Sequence, residues 1–313
     1  MKYFITGGAG FIGSHLVDRL MAEGNAVTVY DNLVSGNKEL IKQHFDKEEF
    51  QFIQADMLDN ATLTKAMKGH DIVWHLGANT DIPGGNKNFE LDLKNCAIAT
   101  HSVLEAMRQN KISQLLFSSS SVVYGELVRA VTAEDAGPLL PISLYGSGKL
   151  AGEGFISAYC HLFDMRACIF RFGNVLGARM GHGVIYDFIH KLQRNPREME
   201  ILGDGNQEKN YFLVEDCLDG MFCALHNSKK QCDVFNLGSA TTVKVKDIAR
   251  VVSEEMGLKD VRLSFTGGER GWPGDVPKVF YDVSKIKKLG WVAKYSSAEA
   301  VRIAAKRLLG KES

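Results

Sequence analysis

The sequence has no surplus of charge of either sign. Its 313 residues include 37 lysines and arginines and 37 aspartates and glutamates, so the formal net charge at pH 7 is zero. Nucleic-acid-binding domains and polybasic membrane patches need a clustered excess of positive charge. The composition therefore argues against a nucleic acid or an anionic membrane as a partner of this chain.

Long hydrophobic runs, cysteine pairs and metal-binding clusters are also missing. No apolar run approaches the roughly 20 residues of a membrane-spanning helix, and the first residues do not resemble a signal peptide. The six cysteines form no Cys-x-x-Cys pair, and we expect them to be buried free thiols in a reducing cytoplasm. His75 ends an apolar run without companion ligands at metal spacing, so it reads as a core residue. We expect a cytoplasmic protein with no membrane segment and no metal.

The opening stretch predicts a dinucleotide-binding turn. Residues 3–5 read as a short buried strand, which leads into T-G-G-A-G-F-I-G-S at 6–14 and then into an apolar pattern of helical period. In such a unit, Gly7 permits the tight turn, Gly10 lets the backbone approach a pyrophosphate and Gly13 lets helix and strand pack closely. Free N–H groups at the start of the helix favour the negative charge of the pyrophosphate.

A carboxylate follows at the spacing expected for a ribose contact. The second predicted strand, 26–30, ends in Asp31, about 20 residues after Gly13. A carboxylate at this position accepts the ribose hydroxyls and repels a 2′-phosphate. Because Asn32 and not a basic residue comes next, the sequence predicts NAD rather than NADP as the cofactor.

Strands and helices alternate through the first half of the chain. Further strands are predicted at 50–54, 71–76, 114–118 and 166–170, and helices at 61–67, 91–109 and 144–162. This order predicts an α/β fold, a Rossmann-like doubly wound parallel sheet with right-handed crossovers. The later residues, which are mostly helical in pattern, predict a smaller C-terminal substrate lobe.

The change of pattern after Arg171 predicts where the domains divide. We expect an NAD-binding domain at 1–173, with returning segments at about 213–238. The substrate lobe is expected at 174–212 and 239–313.

Two stretches carry residues suited to proton transfer. S-S-S-S-V-V-Y-G at 118–125 follows a predicted strand, and Y-G-S-G-K at 145–149 begins a predicted helix. Tyr145 and Lys149 are four residues apart and therefore share a helix face. Lowering a tyrosine pKa from about 10 towards neutrality needs about 4 kcal/mol, which a nearby ammonium in a dry site can supply. With a serine hydroxyl on the same substrate oxygen, this set can take a proton from an alcohol while hydride leaves the carbon.

Together these motifs resemble those of the extended short-chain dehydrogenases/reductases, the group of NAD-dependent nucleotide-sugar epimerases and dehydratases, especially its UDP-glucose 4-epimerase-like members. The resemblance covers residues 2 to about 291. It also rests on R-F-G-N-V-L-G at 171–177 and on G-D-G-N-Q at 203–207, which an aromatic pair follows.

The resemblance implies a role for each matching residue. Tyr145 is expected as the base, Lys149 as its partner and Ser120 as the hydroxyl donor, because Ser120 lies four residues before Tyr124. The expected NAD contacts are Gly7, Gly10, Phe11, Ile12, Gly13, Asp31, Asn32, Ser35, Gly36, Asp56, Met57, Leu76, Gly77, Ala78, Tyr145 and Lys149. The expected nucleotide-sugar contacts are Ser120, Asn174, Lys209, Arg270 and Asp275.

Two positions depart from the family pattern. Lys209 stands where many members have an arginine for the nucleotide diphosphate, and a lysine lacks the bidentate fork of a guanidinium. Cys96 stands where a cofactor-side asparagine is usual, with Asn95 beside it.

The residue two places after Ser120 helps to select the reaction. The resemblance implies that dehydratases and decarboxylases carry acidic residues here and that 3,5-epimerases carry a cysteine, whereas this chain has Ser121 and Val122. Valine does no proton chemistry. The sequence therefore favours a 4-epimerase with a UDP-hexose as substrate, working by transient oxidation at C4 and return of the hydride to the other face.

Other interpretations stay open at this point. A 4-dehydrogenase that releases the ketone, or a 4,6-dehydratase, could act on a GDP-, CDP- or UDP-sugar. A non-catalytic NAD-sensing protein is an alternative from another class, and the presence of both Tyr145 and Lys149 counts against it. The resemblance also implies a homodimer formed through helices 91–109 and 145–162. The base, the sugar and the direction of flux are not readable from spacing.

Overall fold

The computed structural model describes residues 1–85, 87–126 and 131–311. The strands are β1 Lys2–Thr6, β2 Ala26–Asp31, β3 Phe50–Gln54, β4 Ile72–His75, β5 Gln114–Ser120, β6 Arg166–Phe172, β7 Asn174–Leu176, β8 Glu198–Ile201, β9 Glu208–Lys209, β10 Tyr211–Leu213, β11 Cys232–Leu237, β12 Val243–Lys244 and β13 Arg262–Phe265. The α-helices are α1 Phe11–Ala22, α2 Asn60–Ala66, α3 Ile82–Gly85, α4 Glu90–Asp92, α5 Ala99–Gln109, α6 Leu144–Phe163, α7 Val184–Arg194, α8 Val214–Asn227, α9 Val245–Glu255, α10 Ser284–Lys287 and α11 Ser297–Leu308. Short 3₁₀ turns lie at Lys38–Leu40, Lys42–His44 and Ser121–Tyr124.

Seven strands form the main sheet in the order β11-β6-β5-β4-β1-β2-β3. The neighbours β1–β2, β1–β4, β2–β3 and β4–β5 run parallel. Nearly every residue of β1, β2 and β4 is buried, as expected where helices cover both faces of a parallel sheet. The strand order reverses beside β1, which is the doubly wound arrangement. The predicted fold class is confirmed.

Two elements near the carboxyl ends of the strands differ from the predicted ones. β5 continues through Ser120, two residues beyond its predicted end. The predicted helix 91–109 contains a π-helical segment, Leu93–Ile98, which we call the π-turn. In this segment the Asn95 side chain donates to the Leu91 carbonyl, and Thr100, which follows on α5, donates to the Cys96 carbonyl. Each of these side chains bonds a backbone carbonyl that otherwise accepts from the helix backbone, and the wider π-helical turn accommodates the extra donor.

The chain divides into two compact units. Unit 1 comprises residues 1–123, 143–171 and 224–235, and unit 2 comprises residues 124–142, 172–223 and 236–313. The boundaries predicted from the sequence differ from these at 124–142, 172–173, 213–223 and 236–238. The separate functions that were predicted for the two parts stay a prediction.

The core of unit 1 lies between the sheet and the helices α2, α5 and α6. It is built from buried side chains of these elements, including Phe4, Tyr30, Phe117 and Ile156. Because α6 packs against this core, the residues on its first two turns are held on a rigid element.

Unit 2 holds three small two-stranded sheets and most of the later helices. β7 pairs with β10, β9 with β12 and β8 with β13, and α7, α9 and α11 pack on one another. Across the described ranges of both units, no helix combines the length and the apolar character needed to cross a membrane.

Candidate active site

The glycine loop of unit 1 closes tightly on itself. Gly7 has a φ of +71°, and a Cβ added there would lie 2.7 Å from the backbone nitrogen of Gly77. A Cβ at Gly13 would lie 2.2 Å from the carbonyl oxygen of Gly7. Any side chain at these two positions would push β1, α1 and the end of β4 apart, which is the reason for glycine that the sequence predicted.

The start of α1 is open to an anion. Gly10 is its N-cap, and among the described residues no side chain caps the first turn. The backbone N–H groups of that turn, together with the helix dipole, favour a phosphate. This cradle fits the pyrophosphate of a dinucleotide.

Asp31 lies at the end of β2 beside this loop and is 8 % exposed. Its carboxylate accepts hydrogen bonds from the backbone N–H groups of Ala9, at 3.0 Å, and Leu33, at 2.8 Å. A Cβ at Gly36 would lie 2.8 Å from Asp31 Oδ1, so the segment with Ser35 and Gly36 passes close to the carboxylate. Each carboxylate oxygen has a second lone pair, which leaves acceptors for ribose hydroxyls. Burial raises the pKa of Asp31, and the two backbone hydrogen bonds oppose that rise.

The predicted adenine contacts come together beside Asp31. The Asn32 side chain donates to Asp56 Oδ2 at 3.1 Å. The thioether of Met57 lies against Gly77, where an added Cβ would be 2.9 Å from its terminal methyl. Leu76 continues from β4 through a hydrogen bond to the carbonyl of Thr6. The structure therefore places most of the predicted cofactor contacts, including Phe11 and Ile12 on the first turn of α1, along one edge of the sheet.

The predicted catalytic residues also come together in unit 1. Ser120 is the last residue of β5, and Tyr145 and Lys149 lie on the first turns of α6. The Ser120 side chain lies close to the Tyr145 phenol. Lys149 Nζ lies 5.8 Å from the centroid of the Tyr145 ring and donates to the Ser118 carbonyl at 2.6 Å.

Burial moves the pKa of Tyr145 further from neutrality and the pKa of Lys149 closer to it. It raises the pKa of Tyr145, with smaller increases from the electrostatic effects of Cys96 and Asp92, while the neighbouring Ser120 side chain lowers it. Burial lowers the pKa of Lys149. The proximity of Lys149 therefore does not by itself produce the lowered tyrosine pKa that the spacing suggested.

A buried ion pair that the sequence reasoning missed lies directly behind these residues. Arg171 near the end of β6 binds Glu153 of α6 through two hydrogen bonds, at 3.0 and 2.7 Å. Ser119 donates to the same carboxylate at 2.5 Å. Glu153 follows Lys149 by one helical turn, and Ser119 precedes Ser120. The available signal was a pair of charges within otherwise apolar or small-residue segments, which indicates mutual neutralisation.

The π-turn packs against α6, a contact that the sequence did not reveal. A Cβ at Gly148 would lie 2.8 Å from Cys96 Cβ and 3.0 Å from the Asp92 carbonyl oxygen. Asp92 is buried and accepts a hydrogen bond from Asn79 at 2.8 Å. Gly148 lies between Tyr145 and Lys149 on α6, so the π-turn packs directly on the stretch that the sequence predicts to be catalytic.

Apart from Ser120, the predicted substrate residues lie in unit 2. Lys209 on β9 forms an ion pair with the buried carboxylate of Asp275, and its Nζ lies 4.8 Å from the centroid of the Trp272 ring. Arg270 donates to the Asp275 carbonyl and pairs with Glu126. Lys209, Arg270 and Asp275 therefore form one cluster. Asn174 on β7 is exposed and donates to the Asn210 carbonyl at 2.9 Å, apart from that cluster in the hydrogen-bond network.

Comparison with known proteins gives concordant matches over nearly the whole chain. Residues 3–238 match the NAD dependent epimerase/dehydratase family. The UDP-glucose 4-epimerase of Mycolicibacterium smegmatis is 29% identical over 309 residues, which cover 96% of each chain. A crystal structure of a UDP-galactose 4-epimerase is 36% identical with a TM-score of 0.89 and covers 99% of each chain. A UDP-glucuronic acid 4-epimerase from Bacillus cereus, solved in complex with UDP-glucuronic acid and NAD, is 29% identical with a TM-score of 0.88 and again covers 99% of each chain.

Proposed function

The chain belongs to the NAD-dependent epimerase/dehydratase family, and from this premise we propose that it is a nucleotide-sugar 4-epimerase acting on a UDP-hexose. Family membership confirms the resemblance, the enzyme class and the NAD cofactor expected from the sequence. UDP is favoured because the similar enzymes are named for UDP-sugars. A hexose is the default sugar because two of those names specify glucose or galactose.

NAD fits the edge of the sheet described above. The glycine loop and the first turn of α1 would hold its pyrophosphate, Asp31 would hold a ribose, and Asp56 and Met57 would border the adenine. When bound, NAD supplies an acceptor for the C4 hydride and a donor for its return.

The chain's own residues handle the proton. Tyr145 takes the proton from the C4 hydroxyl and later returns it to the same oxygen, when the hydride returns to the other face of C4. Ser120 donates a hydrogen bond to the same oxygen, and its position at the end of β5 beside Tyr145 supports this role. Lys149 stabilises the phenolate by its charge and is held in place by the Ser118 carbonyl.

The observation that carries the 4-epimerase proposal is the turn that follows Ser120. Ser121–Tyr124 forms a 3₁₀ turn whose side chains include no carboxylate, and the N–H of Val122 points back to the Ser120 hydroxyl at 3.4 Å. A dehydratase needs an acid and a base at C5 and C6, and this turn offers neither. Chemistry confined to C4 needs only Ser120, Tyr145 and Lys149 with NAD.

The cluster in unit 2 is proposed to bind the nucleotide diphosphate. Lys209 and Arg270 provide two cations, which Asp275 and Glu126 neutralise in the free enzyme. A diphosphate would replace the Glu126 contact, whereas Asp275, which also accepts from the Gly271 N–H at 3.0 Å, would remain as the anchor of the loop. Asn174 is proposed as a separate substrate contact.

The proposal is tested by incubating the purified enzyme with UDP-, GDP- and CDP-hexoses without added cofactor and resolving the products by NMR. Catalytic formation of a C4 epimer from a UDP-hexose, with no net gain in NADH absorbance, is the expected result. Accumulation of a 4-keto sugar with stoichiometric NADH would instead select the 4-dehydrogenase alternative, which uses the same residues. A 4-keto-6-deoxy product would select the dehydratase.

Tyr145→Phe is the matched test of the catalytic assignment. It should lower kcat by about 10²- to 10⁴-fold, the usual contribution of a positioned acid or base. Tyr295→Phe, at a partly exposed tyrosine of unit 2, is the control and should leave kcat unchanged. Equal activity of the two variants would remove Tyr145 from the mechanism and revive the non-catalytic NAD-sensing alternative.

We also propose a cytoplasmic homodimer. The exposed apolar side chains of Phe155, Leu162 and Phe163 on α6, and of Ile98 in the π-turn, lie on the helices that the resemblance implies as the interface. Phe155→Glu should then shift the enzyme to a monomer in sedimentation equilibrium. Val292→Glu, at an exposed apolar residue of unit 2, should not. A monomeric wild-type enzyme at micromolar concentration would refute the dimer.

A further inference from the structure

His75 lies at the carboxyl end of β4 between two buried threonines. The residue is 1 % exposed. Its Nδ1 is 2.7 Å from Thr6 Oγ1, and its Nε2 is 3.0 Å from Thr100 Oγ1. Both ring nitrogens therefore have a hydroxyl partner, one on β1 and one on α5.

The direction of each hydrogen bond follows from the neighbouring groups. Thr100 donates its single hydroxyl proton to the Cys96 carbonyl at 2.5 Å, because a carbonyl can only accept. Thr100 Oγ1 must then accept from His75, which places the proton of the neutral ring on Nε2. His75 Nδ1 is left as an acceptor for the Thr6 hydroxyl, and Thr6 Oγ1 accepts from the Gly77 N–H at 3.2 Å.

The ring is neutral in this environment. It is fully buried, and the positive charge of Lys149 adds to the effect of burial, so the pKa of His75 falls to about 3. Its backbone is tied to the same lysine, because Ser118 Oγ donates to the His75 carbonyl at 3.2 Å and Lys149 donates to the Ser118 carbonyl. A charged ring would need an acceptor at both nitrogens and would break the bond from Thr6.

The two ends of this chain of hydrogen bonds lie at functional places. Gly77 and Thr6 border the glycine loop, where Gly7 and Gly77 are in close contact. Cys96 lies in the π-turn that packs on Gly148, between Tyr145 and Lys149. A continuous series of hydrogen bonds therefore joins the glycine loop to the π-turn beside α6.

We propose that His75 is a positioning residue for the cofactor site: its neutral ring, protonated on Nε2, holds the glycine loop and the π-turn in fixed register before NAD binds. Preorganisation of this kind improves affinity because binding does not have to order the loop. The inference rests on NAD as the cofactor and does not depend on which sugar is the substrate.

Thr100→Val tests the proposal because Thr100 belongs to α5 and has no assigned contact with cofactor or substrate. The change keeps the side-chain shape but removes the hydroxyl that links His75 to Cys96. The dissociation constant for NAD, measured by calorimetry on nucleotide-stripped protein, should rise about tenfold, the scale expected for one buried donor left unsatisfied. Thr100→Ser retains the hydroxyl and both of its hydrogen bonds, so its dissociation constant for NAD should stay within about twofold of the wild-type value.

Thr28→Val is the matched control. Thr28 is also buried on a strand of unit 1, and its hydroxyl lies 2.8 Å from His70 Nε2, outside the series that joins the two functional places. It should lower the unfolding midpoint in urea about as much as Thr100→Val and leave the NAD affinity unchanged. Equal NAD affinities for Thr100→Val and Thr28→Val would overturn the proposal.

NMR of wild-type protein labelled with ¹⁵N-histidine gives a test that needs no variant to fold. The His75 ring should show a proton on Nε2, none on Nδ1, and no titration between about pH 5 and 9, the range in which an ordinary histidine titrates. A proton on Nδ1, or a titration in that range, would refute the assigned hydrogen-bond directions. Both tests read the free enzyme or its NAD affinity, so their failure is distinguishable from failure of the 4-epimerase proposal.

Discussion

Removing the charge of Arg171 should destabilise unit 1 more than any single surface substitution. The side chains of Arg171 and Glu153 are 5% and 7% exposed, and they share two hydrogen bonds. Arg171→Met would keep a side chain of similar length but would leave the buried Glu153 carboxylate without its counter-ion, with the Ser119 hydroxyl still donating to it. Breaking a buried ion pair by removing one partner costs about 3–5 kcal/mol. That is a large fraction of the roughly 5–15 kcal/mol that stabilises a typical domain.

The assay is urea unfolding of wild type and variant, followed by the fluorescence of the buried Trp74 in unit 1. Arg262→Met is the control, because its partner Glu198 belongs to an exposed pair, with side chains 75% and 36% exposed, and such pairs contribute about 0–1 kcal/mol. The double variant Arg171→Met, Glu153→Gln should recover much of the loss, since it leaves no unpaired charge. A loss below about 1 kcal/mol for Arg171→Met would refute the reasoning.

Other contacts lead to three more predictions. Gly148→Ala should reduce kcat, because its Cβ would meet Cys96 and the Asp92 carbonyl, whereas Gly154→Ala on the same helix meets nothing within 4 Å and should stabilise the protein by about 0.5–1 kcal/mol; steady-state kinetics and urea unfolding compare the two. Lys209→Ala should raise KM for the UDP-sugar about tenfold with kcat nearly unchanged if it binds the diphosphate uniformly, and Lys246→Ala, which removes a partly exposed lysine bound to Asn206, should change neither constant. Stability should fall as the pH drops below about 6.5, because unfolded His75 takes up a proton there while the folded ring does so only near pH 3. At pH 5 this one group should lower the free energy of unfolding by about 2 kcal/mol. His75→Gln should lack this contribution when urea unfolding at pH 5 is compared with urea unfolding above about pH 6.5.

The parts of the site that depend on short-range spacing were predictable from the sequence. Gly7, Gly10 and Gly13 lie within one turn, and their steric reasons are visible in the contacts of that turn. Tyr145 and Lys149 share a helix face because they are four residues apart. β3 begins and ends where the apolar pattern predicted. In each case the relevant neighbours are set by the local geometry of a helix, strand or turn.

The supporting contacts were not predictable because they join residues far apart in the chain. Ser119 and Glu153 are separated by 34 residues, and Thr6 and His75 by 69. Their side chains are common in surface positions, so type and spacing alone do not show that they are buried together. His75 illustrates the point, since its place at the end of a strand indicated a core residue and only the two threonines show what it binds.

Burial acts in opposite directions on the pKa values of Tyr145 and Lys149, the predicted base and its predicted partner. It raises the pKa of the Tyr145 phenol and lowers the pKa of Lys149, so both shifts favour the neutral forms in the free enzyme. Spacing alone indicates the attraction between ammonium and phenolate but not the loss of water around both. Bringing the phenol from its ordinary pKa of about 10 to neutrality needs about 4 kcal/mol, and burial adds to that requirement. Burial also disfavours the charged form of Lys149 in the free enzyme, so we expect part of the stabilisation of the phenolate to come from groups that arrive with the ligands. If Tyr145 is the base, we therefore expect its phenolate to form when the ligands bind, with Ser119, Glu153 and Arg171 holding the surrounding residues in place.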